Sequence, residues 1–516
     1  MNPRHVLLVA ALVVSAGCSG ALGIGTETPA PEPAATDASP TAAPTAATEA
    51  PAATSSPPPS PTAATDAGAS DGTDTPTASA VRPPDPDADR LGWEGGLWYN
   101  ETIAVDQSNG LNGTELDLVV NRSMARVERV RGLEFERSVP VEVISREELR
   151  ERRADRYENL SDAARLHHNV KLEALFFVPE DEDAVAVQRS SAVGGVGGFY
   201  VPAEDRITVV SENTTSPKLD EITLAQELFH ALQDQRFAGF NRQFNRSYAN
   251  GTLTTEAHNT YDAVTEGDGN YVDYLYEQRC DAEWDCLLPG GSSGGGGDVH
   301  VGLNIMGFQP YSDGPPFVRS VRQREGWDGV DALYDDPPES TEQVIHPAKY
   351  GEDPPTDVTV TDRSAAAWRV LERADDGVGI GYVQTSARNE TFGETGIFAM
   401  FIYPGYDSNG RTQLLSIRAF LNRAEDGEGL AAIDPLDYNG SYSTGWDGDT
   451  LVMYATDSSA ATNETGYVWK TVWDSPADAR EFRAGYEELL AYTTPSRSAR
   501  TPTGCPPRAA TRTPST

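Results

Sequence analysis

Thr223-Leu224-Ala225-Gln226-Glu227-Leu228-Phe229-His230-Ala231-Leu232-Gln233-Asp234-Gln235 is the stretch on which the reading of this 516-residue chain turns. Leu224, Leu228, Ala231 and Leu232 fall on one face at helical spacing, so the segment is expected to be an amphipathic helix. Gln226 and His230, four apart, stand on a common face one turn from each other. The pattern is that of an HExxH zinc-hydrolase helix whose first histidine has become glutamine.

A zinc hydrolase needs three protein ligands, an open position for water and a carboxylate that takes the proton from that water. Here His230 fills the second-ligand role, Glu227 the base, and Glu266, on a helical stretch from Thr254 to Gln278, the third ligand. Gln226 fills the first role badly, because an amide oxygen is a weaker zinc ligand than imidazole. Losing a ligand should cost more than about 10 to 100-fold in metal affinity, the penalty of a change one shell further out. Spacing alone leaves open the plainer alternative, a half-buried helix histidine at 230 and a solvated charge at 266.

Around this helix the chain divides into regions. Residues 1–18 carry one basic residue, Arg4, an apolar run from Val6 to Val14 and small residues before Cys18. This reads as a lipoprotein signal peptide with Cys18 as the lipidated N-terminus, the alternative being an unmodified exported cysteine. No other run is long and apolar enough to span a membrane. Residues 19–90 are rich in Thr, Ala, Pro and Ser and cannot bury a core, so a disordered stalk is expected, bearing O-linked sugars or bare.

Residues 91–350 hold the helix with Glu227 and are expected to form one α+β domain. Helical periodicity runs from Gly113 to Leu133, and Pro140 to Ile144 reads as a strand entering a helix at Arg146. Gly197–Val201 and Arg206–Val210 read as a strand pair turning at Pro202–Asp205. Ser216 and Pro217 are the expected entry to the central helix. Gly290–Gly297 is a glycine loop, and helical signals from Pro316 to Gln343 break at Gly326 and Pro337-Pro338.

Residues 351–495 read as a second α+β region. Its expected strands are Val358–Val360, Gly379–Gln384, Gly396–Tyr403 and Leu451–Tyr454, and a helix over Ser475–Tyr492 closes it. Residues 496–516, Arg/Pro/Thr-rich and free of acids, are an expected disordered tail, a composition that a frame-shifted gene end would share.

Asp and Glu total 79 against 40 Lys and Arg, a net charge of −39, and lysine occurs only at positions 171, 218, 349 and 470. At molar salt the Debye length falls to about 3 Å, so such a charge costs little and keeps the chain hydrated. The balance points to work in concentrated salt and against nucleic acid as a partner. An acidic protein of ordinary salinity is the alternative.

Asn100, Asn112, Asn121, Asn159, Asn213, Asn245, Asn250, Asn389, Asn439 and Asn463 stand in N-x-Ser/Thr, as expected of a glycosylated exported chain. A Cys280–Cys286 disulfide fits export too, whereas a continuous helix through residues 281–285 would point the two thiols apart. His346, before Pro347, is a candidate cleft residue donating to a transition state, or else a loop histidine. His167, His168, His258 and His300 lack partners at ligand spacing and read as surface residues.

The 223–235 segment followed by Thr265-Glu266-Gly267-Asp268 resembles a haloarchaeal surface lipoprotein family with a gluzincin-like metalloprotease domain. Members of that family typically show HELxHALQDQ and then an E-G-D/A helix. Ser340-Thr341-Glu342-Gln343-Val344-Ile345-His346-Pro347 and Phe398-Ala399-Met400-Phe401 resemble further phrases of it. The likeness spans roughly Trp93 to Tyr492.

It implies a zincin-like metallopeptidase domain over 91–350, zinc as cofactor, His230 and Glu266 as metal ligands and Glu227 as base. It does not make Gln226 a ligand. The expectation is therefore a lipid-anchored protein on the outer face of the cell membrane, with weakened peptidase activity. Its partners would be a peptide or the surface layer. The competing expectation is a pseudoprotease that binds without cutting, or a structural envelope protein.

Overall fold

A computed structural model of the chain describes residues 85–154, 160–191, 197–288, 300–372, 387–424, 427 and 429–498. The expected signal peptide with Cys18, the expected stalk to residue 84, Asn159, residues 290–297, the expected strand at 379–384 and the expected tail from 499 lie outside the described residues. The rest is α+β.

The first elements are a short hairpin, β1 (Trp93–Glu94) and β2 (Leu97–Trp98), and helix α1 (Gly113–Arg131). Then come β3 (Val141–Ile144), α2 (Arg146–Ala154), α3 (Asp162–Ala174), α4 (Ala184–Ser191), β4 (Gly198–Val201) and β5 (Arg206–Val210). The centre is helical: α5 (Glu221–Arg236), α6 (Ala238–Asn250), α7 (Thr255–Ala282), α8 (Val301–Ala332) and α9 (Thr341–Ile345). The chain finishes with β6 (Arg369–Val370), α10 (Gly393–Asp407), β7 (Trp446–Ala455), α11 (Ser459–Thr462), β8 (Thr465–Trp473) and α12 (Pro476–Ser498).

One sheet has the order β3-β5-β4, with β3 parallel and β4 antiparallel to β5. The expected hairpin therefore forms, with Gly198 opposite Val209 and Tyr200 opposite Ile207. A second sheet, β6-β7-β8, is antiparallel. Leu224, Leu228, Phe229 and Leu232 of α5 pack with Val119 and Met124 of α1, Ile207 of β5 and Val272 of α7 in one apolar core. A second core joins Leu172 of α3, Ile305 and Met306 of α8, Phe398 and Phe401 of α10 and Leu451 of β7, so residues on both sides of position 350 share it.

The two longest helices cross where glycines face: a Cβ on Gly267 of α7 would lie 2.8 Å from the carbonyl carbon of Gly314 on α8. Only the absence of a side chain lets these backbones meet.

Several elements differ from the sequence expectation. Helix α5 begins at Glu221, not after Ser216-Pro217, with Asp220 as N-cap accepting from the backbone of Ile222 and Thr223. Residues 217–219 lie outside the helix and are held by distant partners instead. Leu111 N–H donates to the Pro217 carbonyl, and the Gln107 amide bonds both the N–H and the C=O of Leu219.

Gly396–Tyr403 is not a strand but the middle of α10. That apolar run is buried on every side, so it lacks the polar face that would have revealed a helical period. Val358–Val360 forms no strand; the Val358 carbonyl instead accepts from the Thr450 hydroxyl of β7. His168 and His258 are buried, and His300 caps α8 through the Leu303 N–H, so they are not the surface residues expected. His258 also has a partner at i+4 after all, its Nε2 lying 3.1 Å from Asp262 Oδ2, while His168 meets the Gln188 amide of α4, a contact that spacing on one helix does not show.

Cys280 and Cys286 form a disulfide, with Cα atoms 5.5 Å apart. Helix α7 stops at Ala282, which turns the second cysteine back toward the first. Among the described residues no helix is long and apolar enough to cross a membrane.

Candidate functional site

Helices α5 and α7 lie side by side, and their facing surfaces carry the polar residues singled out by spacing. His230 Nε2 lies 3.4 Å from Glu266 Oε2, and both side chains are about nine-tenths buried. Gly269, one turn beyond Glu266, makes room for the ring: a Cβ there would meet His230 Cε1 at 3.2 Å.

The protons on His230 follow from its neighbours. Gln233 Nε2 donates to the Thr265 carbonyl at 2.8 Å and to the Tyr334 hydroxyl at 2.7 Å, which turns Gln233 Oε1 toward His230 Nδ1 at 2.8 Å. Nδ1 must then carry a proton, and Nε2 is left facing a carboxylate. Burial works against charge on this ring, but the carboxylates of Glu266 and Glu227 outweigh it and raise the His230 pKa to about 10. The carboxylates around the ring thus favour its protonated form.

Glu227 is placed differently. Its Oε2 accepts the backbone N–H of Tyr200, on edge strand β4, at 2.8 Å, and its side chain is 1% exposed. Gly198 lets the strand lie against it, with Glu227 Cγ 3.7 Å from where a Cβ would stand. Gln226 is fully buried.

His230 and Glu266 line a cavity of about 160 Å³ walled by Tyr200, Phe237, Phe240 and Tyr334, while neither Glu227 nor Gln226 lines it. Phe237 stacks on Tyr334 with ring centres 3.8 Å apart, and Phe240 meets the same ring edge-on. The structure thus brings His230 and Glu266 together at a cavity wall and sets Glu227 behind them, tied to the sheet.

Sequence spacing missed Asp273, two turns past Glu266 on α7. Its Oδ1 is enclosed without a hydrogen-bond partner. Burial, reinforced by Glu227, Glu266 and Asp220 against the opposing pull of His230, holds its carboxyl well above the usual range. A seven-residue step on one helix was the available signal. Gln233, three residues past His230, was legible in the same way.

His346 does not line this cavity. It ends α9 and pairs with Glu394 of α10 at 3.2 Å. Burial opposes its protonation and Glu394 overcomes it, so its pKa is raised.

The residues do not fit a zinc hydrolase as they stand. Two good donors are present where three are needed, and the third position is an amide. Among the described residues no group of three His, Cys, Asp or Glu side chains is arranged to hold a metal ion. The pair itself keeps ligand spacing: two ligands of a tetrahedral zinc stand about 3.3 Å apart when each bond is about 2.0 Å.

Residues 382–512 match a family described as Domain of unknown function (DUF8575). That match covers the C-terminal region and leaves the α5–α7 site outside it. No curated protein and no solved structure matches the chain.

Proposed function

We propose that this chain is a lipid-anchored cell-surface protein whose α5–α7 cleft is a gluzincin-like peptidase site converted to binding without catalysis. The observation that carries this reading is the donor set of the cleft: His230 and Glu266 stand 3.4 Å apart, and the position of the third ligand is taken by the fully buried amide of Gln226. Glu227 engaged by the Tyr200 N–H supports it further, because a general base must face the water it activates.

What remains is a residue-sized cavity with ring walls and one polar edge, beside an edge strand. That combination suits one side chain of a bound peptide, with the cavity selecting the residue. Zincin-like architecture is part of the same proposal, supported by an antiparallel edge strand beside two helices bearing QExxH and Glu266.

The test is zinc per chain by elemental mass spectrometry on protein purified in molar KCl, wild type beside Gln226→His, with peptide hydrolysis assayed on both. The expected result is little zinc in the wild type, near one zinc per chain in the variant, and peptidase activity only in the variant. Near-unit zinc in the wild type, with hydrolysis abolished by Glu227→Gln, would overturn the reading.

A further inference from the structure

We propose that Lys171 and Glu390 are joined by an intramolecular amide bond that staples α3 to the segment leading into α10. The chain is poor in lysine, and among the described residues arginine supplies the cation at the pairs with both side chains at most 2% exposed, Arg122 and Arg126 with Glu221 and Arg131 with Asp268. Arginine is the better residue for such a pair, with its planar fork and weakly hydrated charge. Lys171 breaks the pattern. It is 5% exposed, and its Nζ stands 3.4 Å from Oε2 of Glu390, itself 3% exposed. What lysine offers and arginine does not is an amine able to attack a carbonyl.

The carboxyl is held for that attack. Glu390 Oε1 accepts the backbone N–H of Thr255 at 2.6 Å and of Thr391 at 3.1 Å. Two backbone donors on one oxygen form the arrangement that stabilises an oxyanion as a tetrahedral centre develops. Oε2, turned to the amine, is the oxygen that leaves. The backbone of Glu390 is fixed as well, exchanging both hydrogen bonds with Leu451 of β7. Nucleophile, oxyanion donors and leaving oxygen are thus in place before any reaction.

The steps balance without an oxidant or co-reactant. The ammonium passes one proton across the contact to Oε2, giving an amine and a carboxylic acid. Nζ attacks Cδ, the C–N bond forms, and the negative charge falls on Oε1 under the Thr255 and Thr391 N–H groups. Collapse breaks the Cδ–Oε2 bond, and the oxygen leaves as water with a second proton from the nitrogen. One N–H remains in the amide. His168, one turn before Lys171 on α3 and buried, is on the helix face from which that second proton can be relayed.

Peptide mass mapping of the full folded chain, made in a host that does not glycosylate Asn389, tests this directly. Trypsin does not cut after an acylated lysine, so the expected product is Leu166–Arg189 branched to Asn389–Arg411, one water lighter than the two peptides together. The branched species should vanish in Lys171→Arg and in Glu390→Ala. Recovery of free Leu166–Lys171 and unshifted Asn389–Arg411 in full yield from the folded wild type would reduce the contact to an ordinary buried ion pair and overturn the proposal.

Discussion

At the scale of single residues, His230 is the most consequential side chain. Its Nδ1 donates to Gln233 Oε1, its Nε2 faces the Glu266 carboxylate at 3.4 Å, and its folded pKa of about 10 lies above the ordinary value near 6.5. A raised folded pKa means that the stabilisation is fully present below about pH 6.5 and is lost as the pH climbs toward 10. Thermal melts between those limits should therefore show a steeper fall in Tm for the wild type than for His230→Gln. Equal slopes would mean that the pair contributes nothing to the pH dependence. Gln226 matters in the opposite sense: a neutral, fully buried amide adds no charge to a site already crowded by Glu227, Glu266 and Asp273.

At the scale of elements, the site depends on how α1, α5 and α7 are locked. Glu221, the first residue of α5, accepts from Arg122 and Arg126 of α1, from the Tyr276 hydroxyl of α7 and from the Leu287 N–H. All four donors converge on one buried carboxylate. Glu221→Ala would leave two buried guanidinium groups without it, a loss of about 3–5 kcal/mol by the usual cost of breaking a buried pair. Denaturant unfolding at fixed salt measures it, and a loss below about 1 kcal/mol would show that water replaces the carboxylate.

Elements also mark where sequence reading failed. The α5 boundary moved because Gln107, in the 3-10 turn Gln107–Asn109 far back in the chain, claims the backbone of Leu219. Helix α10 was misread because burial on all sides removes the amphipathic signal, and it is tertiary donors and acceptors that hold its start. Asp449 accepts the N–H groups of Phe392 and Gly393 together with the indole N–H groups of Trp446 and Trp469.

At the scale of the whole molecule, glycan placement is limited by packing rather than by motif. Asn245, Asn250 and Asn389 are exposed. Asn463 is engaged: its Oδ1 accepts from Asn169 at 2.7 Å and its Nδ2 donates to the Glu180 carbonyl at 3.0 Å. A glycan on Nδ2 would forfeit that donation. In a host that N-glycosylates exported proteins, peptides with Asn245 and Asn250 should carry glycan and the peptide with Asn463 should not. A glycan at Asn463 on folded protein would show that α11 yields more readily than these bonds suggest.

By itself the sequence determined the helices with a clear amphipathic period, the strand pair at 197–210 and the residues that meet on α5 and α7, because those depend on local spacing. It also carried the acidic balance. It left the state of Cys280 and Cys286 open, and only the end of α7 at Ala282 decided it. Tertiary structure alone decided that Glu227 turns to the β4 backbone and that His230 and Glu266 stand in contact. Those facts depend on which distant group satisfies each buried polar atom, and a buried polar atom takes whatever partner the fold brings, not the one nearest in sequence.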